Sequence, residues 1–429
     1  MQTTLKNQST AKIIYLDYWR IFACIGVFTC HLWVGIFLPK LATSVPSLQS
    51  IKTLTPQCLG IQGDALYACG ITPFIIWPTF NLESVFFNLS NIVFGLGYQA
   101  VHLFFFLSGF GLTLSALKNL KKMENNPSIN WIDFLKKRFV RLYPYYWVVL
   151  TIYMFLNIFN YSSFLGFLKV YFLGMVFLNV IPATWFIPII LQLYLLFPFL
   201  FYLLNKTSSS LFLWLTLLIK VISSLAIIIV SILVWGKIVG FGHGGLAPGG
   251  IALTRLFEFC FGMGVAKRFF NAQNSLKILF NFKGVHNIIF GLILEGLGLF
   301  LSSKYASISW GNHTFPIGLA ISDALIGVGI VILFINITFA LEPFLSKIND
   351  KLIDSLSNAT YQAYIFHGLC LNYVSILVAL PIFQLTTIDN LTNSTFYILF
   401  VYGFMLLVFS SWNLGWGWYL SQWKFWFLK

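Results

Sequence analysis

From Ile14 to Tyr419 the chain alternates apolar runs of about 20 residues with short polar connections. A membrane-crossing helix needs about 20 predominantly apolar residues. The interior of a bilayer offers the backbone no hydrogen-bonding water, so only helices and closed barrels cross it. Apolar runs of this length read as helices. The sequence therefore predicts an all-α polytopic bundle of ten helices, over roughly 14–38, 91–116, 143–161, 184–204, 211–235, 250–267, 286–302, 316–340, 360–383 and 396–419. The run 164–181 is also apolar and is expected to be an outer re-entrant or interfacial segment. No polar stretch is long enough for a soluble domain, so residues 1–429 are expected to form one membrane-embedded domain.

Charged residues make up only 9% of the chain, yet the net charge is +14. A basic chain invites a nucleic-acid reading, but here the cations sit in short blocks between apolar runs, where they orient the protein. With the N-terminus inside, 18 of the 26 Lys and Arg residues fall on the cytoplasmic side and five, Lys40, Lys52, Lys169, Lys237 and Lys304, on the outer side. Both termini are then expected in the cytoplasm. Trp147, Trp185, Trp235, Trp310, Trp416 and Trp418 lie near expected interfaces and suit anchoring at headgroup level. The six cysteines show no zinc-ligand spacing, and no metal is expected. Cys58 and Cys69 share one outer loop, where a disulfide and two free thiols are both open.

Ionisable groups inside a membrane helix are expensive and mark function unless they are paired. The first helix holds Asp17, Arg20 and His31. Asp17 and Arg20, three apart, can pair on one face. Arg20 and His31, eleven apart, return nearly to the same face, separated by roughly 16 Å along the axis. That face presents a cation near the cytoplasm and an imidazole beyond the midplane. His102 lies in the second helix at a similar depth, in VHLFFFLSGFGL, where Ser108 and Gly109 permit close packing. The block FLKKRFVRLYPYYW carries Lys136, Lys137, Arg138 and Arg141 ahead of Pro144. It suits a topology signal, and equally a phosphate clamp, since the arginine fork binds phosphate oxygens bidentately. Arg255 and Glu258 are expected as a buried structural ion pair, and His367 as a satisfied core histidine. Glu295 and Asp323 are lone intramembrane acids with no assigned role.

These segments, in this order, resemble the membrane-bound acyltransferase family 3. The resemblance covers nearly the whole chain and rests on Arg20 and His31 in the first helix and on LFFFLSGF at 103–110. It also rests on the basic run Lys137, Arg138, Arg141 ending in Tyr143–Pro144, and more weakly on WFIPIILQLYLLFP (185–198), RLFEFCFGMG and the Tyr364–His367 segment. The chain departs from many members in carrying His102 where they have an acid. It also has Ile190 and Leu191 beside Gln192 where they have paired acids in the fourth helix. An extracytoplasmic esterase-like domain of the kind that some members bear is not expected.

The resemblance implies a cell-membrane O-acyltransferase, usually an O-acetyltransferase. It would take acyl-CoA, acetyl-CoA in the simplest case, from the cytoplasm and deliver the acyl group to a hydroxyl of a cell-surface or exported glycan or lipid-linked sugar. Lys137, Arg138 and Arg141 would hold the CoA phosphates. His31 would be general base or transient nucleophile, His102 would orient it or share its proton, and Arg20 would bind a phosphate or hold Asp17. Partners would be acyl-CoA, the glycan acceptor and membrane lipids, with no nucleic acid. A transporter of a polysaccharide or lipid-linked intermediate also suits ten helices and the Gly-rich break GFGHGGLAPGG, although no inverted repeat is visible.

Overall fold

A computed structural model describes residues 14–32, 96–122, 129–156, 163–174, 185–235, 250–272, 284–302, 308–310, 313–315, 317–345 and 347–369. The helices are α1 Ile14–Leu32, α2 Ala100–Lys122, α3 Trp131–Leu156, α4 Phe164–Gly174, α5 Phe186–Lys206, α6 Ser209–Trp235, α7 Leu256–Asn271, α8 Val285–Ser302, α9 Leu319–Leu345 and α10 Asp350–Leu369. Short 3₁₀ turns, Leu96–Gln99 and Ala252–Arg255, lead into α2 and α7. The expected helix at 396–419, the end of that at 360–383, the loop with Cys58 and Cys69 and most of the Gly-rich break lie outside the described residues.

The fold is all-α. Among the described residues, six helices, α2, α3, α5, α6, α8 and α9, are long and apolar enough to cross a membrane. Their outward faces are apolar: Phe199, Trp214, Leu233 and Phe290 are all exposed. So broad an apolar exterior would aggregate in water and is at home in lipid. Of the apolar run 164–181, Phe164–Gly174 forms α4, and the remainder lies outside the described residues.

Several boundaries differ from the sequence expectation. The basic block was expected as a connection before a helix starting at 143. It instead forms the first three turns of α3, which starts at Trp131. Asn130 caps that start by accepting the Asp133 N–H at 3.1 Å, and nothing up to Pro144 breaks the helix. Likewise α10 starts at Asp350, ten residues before its apolar part, because the Asn349 carboxamide accepts the Lys351 N–H at 2.9 Å. Charged first turns were invisible to a hydropathy reading. The connection before α9 contains a small antiparallel ladder, β1 Ile308–Trp310 with β2 His313–Phe315, that no apolar run announced.

Backbone contact sets the packing of the two tightest helix pairs. A Cβ on Gly109 of α2 would run into the carbonyl of Phe259 on α7, and one on Gly262 of α7 into that of Phe106 on α2. Without a hydrophobic drive between helices in lipid, such close approach is what favours association. Gly291 and Gly329 bring α8 and α9 together in the same way. Phe105, Phe106 and Phe110 are then fully buried at the centre of the bundle.

Candidate active site

The site is built around α1. Tyr18 donates its hydroxyl proton to the Leu345 carbonyl at 2.7 Å, and Trp19 Nε1–H donates to Thr338 Oγ1 at 2.6 Å, pinning α1 against α9. The buried Asp17 carboxylate then takes the Arg20 guanidinium at 2.8 Å and the Ser357 hydroxyl of α10 at 2.6 Å, both on Oδ1. The Asp17–Arg20 pair expected from spacing is therefore present. Ser357, which sequence reasoning did not single out, ties it to a second helix.

Arg20 lies in the wall of a cavity of about 750 Å³ between α1, α2, α3, α5 and α10. Arg138 and Arg141 of α3 join it there, with Ser108 and Gly111 of α2, Tyr194 of α5 and Tyr361 of α10. Arg138 is aimed by two neighbours: its Nη2–H donates to Ser115 Oγ at 3.3 Å, and its guanidinium lies 5.1 Å from the Phe134 ring centre. Tyr361 donates to the Leu142 carbonyl at 2.6 Å, holding α10 to α3 along the cavity. Pro144, also in the wall, lacks the N–H that would bond the Val140 carbonyl one turn back. Lys137 lies elsewhere. It is 59% exposed on the outer side of α3 and pairs with Asp133 at 2.7 Å, so one of the three cations grouped by sequence stands apart from the other two.

His31 is beyond the far end of the cavity, and its neighbour is His367 of α10. The ring centres are 5.0 Å apart, and His367 Nε2 is 3.2 Å from His31 Nδ1. His31 Nδ1 is also 2.9 Å from the Val27 carbonyl. A carbonyl only accepts, so Nδ1 carries the hydrogen. His367 Nδ1 donates in turn to the carbonyl of Tyr364. In two neutral imidazoles these bonds leave the lone pair of His367 facing His31, and among the described residues the Nε2 lone pair of His31 has no partner. Such a fixed tautomer is what a ring needs to accept a proton at one defined atom.

His102 has other partners. Its Nδ1 is 3.3 Å from Glu258 of α7, and its Nε2 is 4.0 Å from Asp323 of α9. Arg255 bridges the same two acids, at 2.8 Å to Asp323 and 3.6 Å to Glu258, and its guanidinium lies 5.3 Å from the Trp185 ring centre. Gly327 leaves the space: a Cβ there would sit 2.9 Å from Glu258 Cγ. Lys220 of α6, fully buried, donates to the Ala320 carbonyl on α9 at 2.8 Å. The expected Arg255–Glu258 pair is thus half of a four-residue cluster joining α2, α7 and α9. Spacing could find Arg255–Glu258, because both lie on one helical turn. The partners His102 and Asp323 stood out in the sequence as intramembrane ionisable groups, but they come from other helices and no spacing pairs them. Among the described residues, no group of His, Cys, Asp and Glu is placed to hold a metal ion.

No curated protein and no solved structure gives a match to the chain. Residues 13–413 match a family model described as an acyltransferase domain, which is nearly the whole chain. The protein is an acyltransferase and a member of acyltransferase family 3.

Proposed function

We propose that the protein is an acyl-CoA-dependent O-acyltransferase of the cell membrane that acylates, in the simplest case acetylates, a hydroxyl of an exported or cell-surface glycan. One observation carries the reading: a single cavity has three arginines, Arg20, Arg138 and Arg141, in its wall, and its far end abuts the helix bearing His367 and its partner His31. Arginine forks suit the phosphates of a CoA donor. The cavity volume falls in the range of small-molecule sites, roughly 300–1,000 Å³. The positive-inside rule, applied to the cation blocks, favours the arginine end on the cytoplasmic side, where acyl-CoA is made.

In this reading the phosphates rest on Arg138 and Arg141, Arg20 is steadied by Asp17, and the thioester arm extends toward His31. His31 Nε2 accepts the proton of the acceptor hydroxyl as its oxygen attacks the thioester carbonyl. The tetrahedral intermediate collapses with cleavage of the C–S bond. The CoA thiolate leaves and takes the proton from His31, giving the ester and free CoA. Proton transfer by a positioned group of this kind contributes about 10²–10⁴-fold. His367 holds the His31 ring in its tautomer. His102, committed to Glu258 and Asp323, takes a structural part rather than a share of the His31 proton. Lys137 adds at most to the general attraction of the anionic donor.

The test is transfer of radiolabel from [acetyl]-CoA into envelope glycan by membranes containing the protein, beside His31→Ala at equal abundance. Label that moves with the parent chain and not with the variant supports the reading. Equal label in both overturns the role of His31. Movement of unlabelled glycan across the membrane without any acyl-CoA requirement would replace the reading with a transporter.

A further inference from the structure

The cavity ends on three rings. On α2 the liners run from Leu112 to Phe104, on α5 from Tyr194 to Phe186, and on α10 from Ser355 to Tyr364. In each case the last liner is the one farthest from the arginines. Eight to nine residues of helix separate the two ends, a depth of roughly 12–14 Å. Phe104, Phe186 and Tyr364, one from each helix, meet as a closed triangle. Their ring centres are 5.7 Å (Phe104–Phe186), 5.7 Å (Phe104–Tyr364) and 5.6 Å (Phe186–Tyr364) apart, tilted or edge-on. These are the spacings of rings in direct contact, with no room for a chain between them.

Behind the triangle the packing is equally tight. The Tyr364 ring centre is 5.2 Å from His367, and His367 is 5.0 Å from His31 and 5.8 Å from Phe28. So the arginine cavity and the histidine pair are separated by one layer of aromatic rings. The three rings are not held alike. Phe186 is backed by Phe105 at 4.7 Å and Tyr364 by His367, and both are buried. Phe104 is only partly buried and rests on its two partners. It is the ring that can swing.

We propose that the triangle Phe104–Phe186–Tyr364 is the acyl-size filter of the enzyme, with Phe104 as the specificity-determining residue. This rests on the donor reading given above. For the thioester carbonyl to reach His31, its acyl group must take the place of one displaced ring. The space so opened is that of a single benzene ring, enough for two to four carbons and too small for eight. Among the described residues the rings behind the triangle are close-packed, so a longer chain finds little room to extend past them. The donor class that fits is therefore short-chain acyl-CoA. Removing the Phe104 ring would open that space permanently and admit longer donors.

The experiment compares acetyl-, butyryl- and octanoyl-CoA, each labelled in the acyl group, as donors to the envelope glycan of membranes carrying the full chain. Parent, Phe104→Ala and Phe104→Leu proteins are measured, and the readout is the octanoyl-to-acetyl ratio within each preparation, which cancels differences in abundance. In the parent, acetyl and butyryl transfer with octanoyl barely used. One methylene misfit in an apolar pocket is worth about 10-fold or more in discrimination, so Phe104→Ala raises the ratio at least about tenfold. Phe104→Leu, which keeps an apolar side chain in place, shifts it less and carries the test if the alanine protein does not accumulate. A parent that transfers acetyl while both variants keep the parental ratio overturns the filter and leaves the donor reading standing. A parent that uses octanoyl-CoA as well as acetyl-CoA does the same. A parent that transfers no acyl group from any of the three overturns both.

Discussion

Replacing Arg255 by Met tests whether the cluster around His102 holds the bundle together. Arg255 is fully buried and stands between two acids, Asp323 at 2.8 Å and Glu258 at 3.6 Å. Met fills much of the same volume against Trp185 but leaves the carboxylates facing each other with only His102 between them. At an effective dielectric of about 20, a unit pair at this range is worth roughly 6 kcal/mol in attraction, much of it offset by desolvation. Removing one partner of a buried pair costs about 3–5 kcal/mol, because the remaining charge is left uncompensated. Pairing Arg255→Met with Asp323→Asn restores the charge balance, so the double variant loses less than the sum of the singles by about 1–3 kcal/mol. Buried thiols offer the assay: among the described residues, Cys24, Cys30 and Cys260 are all buried. A thiol-reactive fluorogenic dye reports their exposure as detergent-solubilised protein is heated. For a chain of this size the loss corresponds to a midpoint shift on the order of 5 °C. An Arg255→Met protein melting within about 1 °C of the parent, or a strictly additive double variant, would refute the argument.

Other consequences follow from named contacts. Arg138→Gln removes a charged donor from the cavity wall and raises the apparent KM for acyl-CoA about tenfold or more, the worth of one charge-assisted hydrogen bond. Lys137→Gln, on an exposed pair, changes it less than about threefold. Steady-state kinetics on the two neighbours separates them. Ser357→Ala removes the hydroxyl that Asp17 shares with Arg20 and weakens donor binding by about 1 kcal/mol, read as a rise in KM with kcat held. Gly109→Val drives a side chain into the Phe259 backbone and abolishes the monodisperse protein peak in size-exclusion chromatography. Gly296→Ala, where a Cβ meets nothing within 4 Å, leaves the peak intact and gains up to about 1 kcal/mol in helix propensity.

Much of this protein is a property of single segments, and those parts were legible in the sequence. Apolar runs long enough for a bilayer dictate helices, because the backbone must bond itself there. The Asp17–Arg20 and Arg255–Glu258 pairs follow from one helical turn, and the shared face of Arg20 and His31 from eleven residues at about 100° each. The helix starts at Trp131 and Asp350 escaped a hydropathy reading because Asn130 and Asn349 cap charged turns that carry no apolar signal.

What meets across helices was decided only by the tertiary structure. His31 finds His367 rather than His102, and His102 finds Glu258 and Asp323, although depth alone made His31 and His102 neighbours. Lys137, in the same basic run as Arg138 and Arg141, pairs with Asp133 while the two arginines line the cavity; it is about 40° round the helix from Arg141, so spacing alone could not separate them. The ring triangle needs α2, α5 and α10 at one depth, and no segment records that. In lipid every helix surface is apolar, so the choice of partner passes to close contacts such as Gly109 on Phe259 and Gly262 on Phe106. A glycine in a sequence permits such contact, and only the assembled bundle says with which helix.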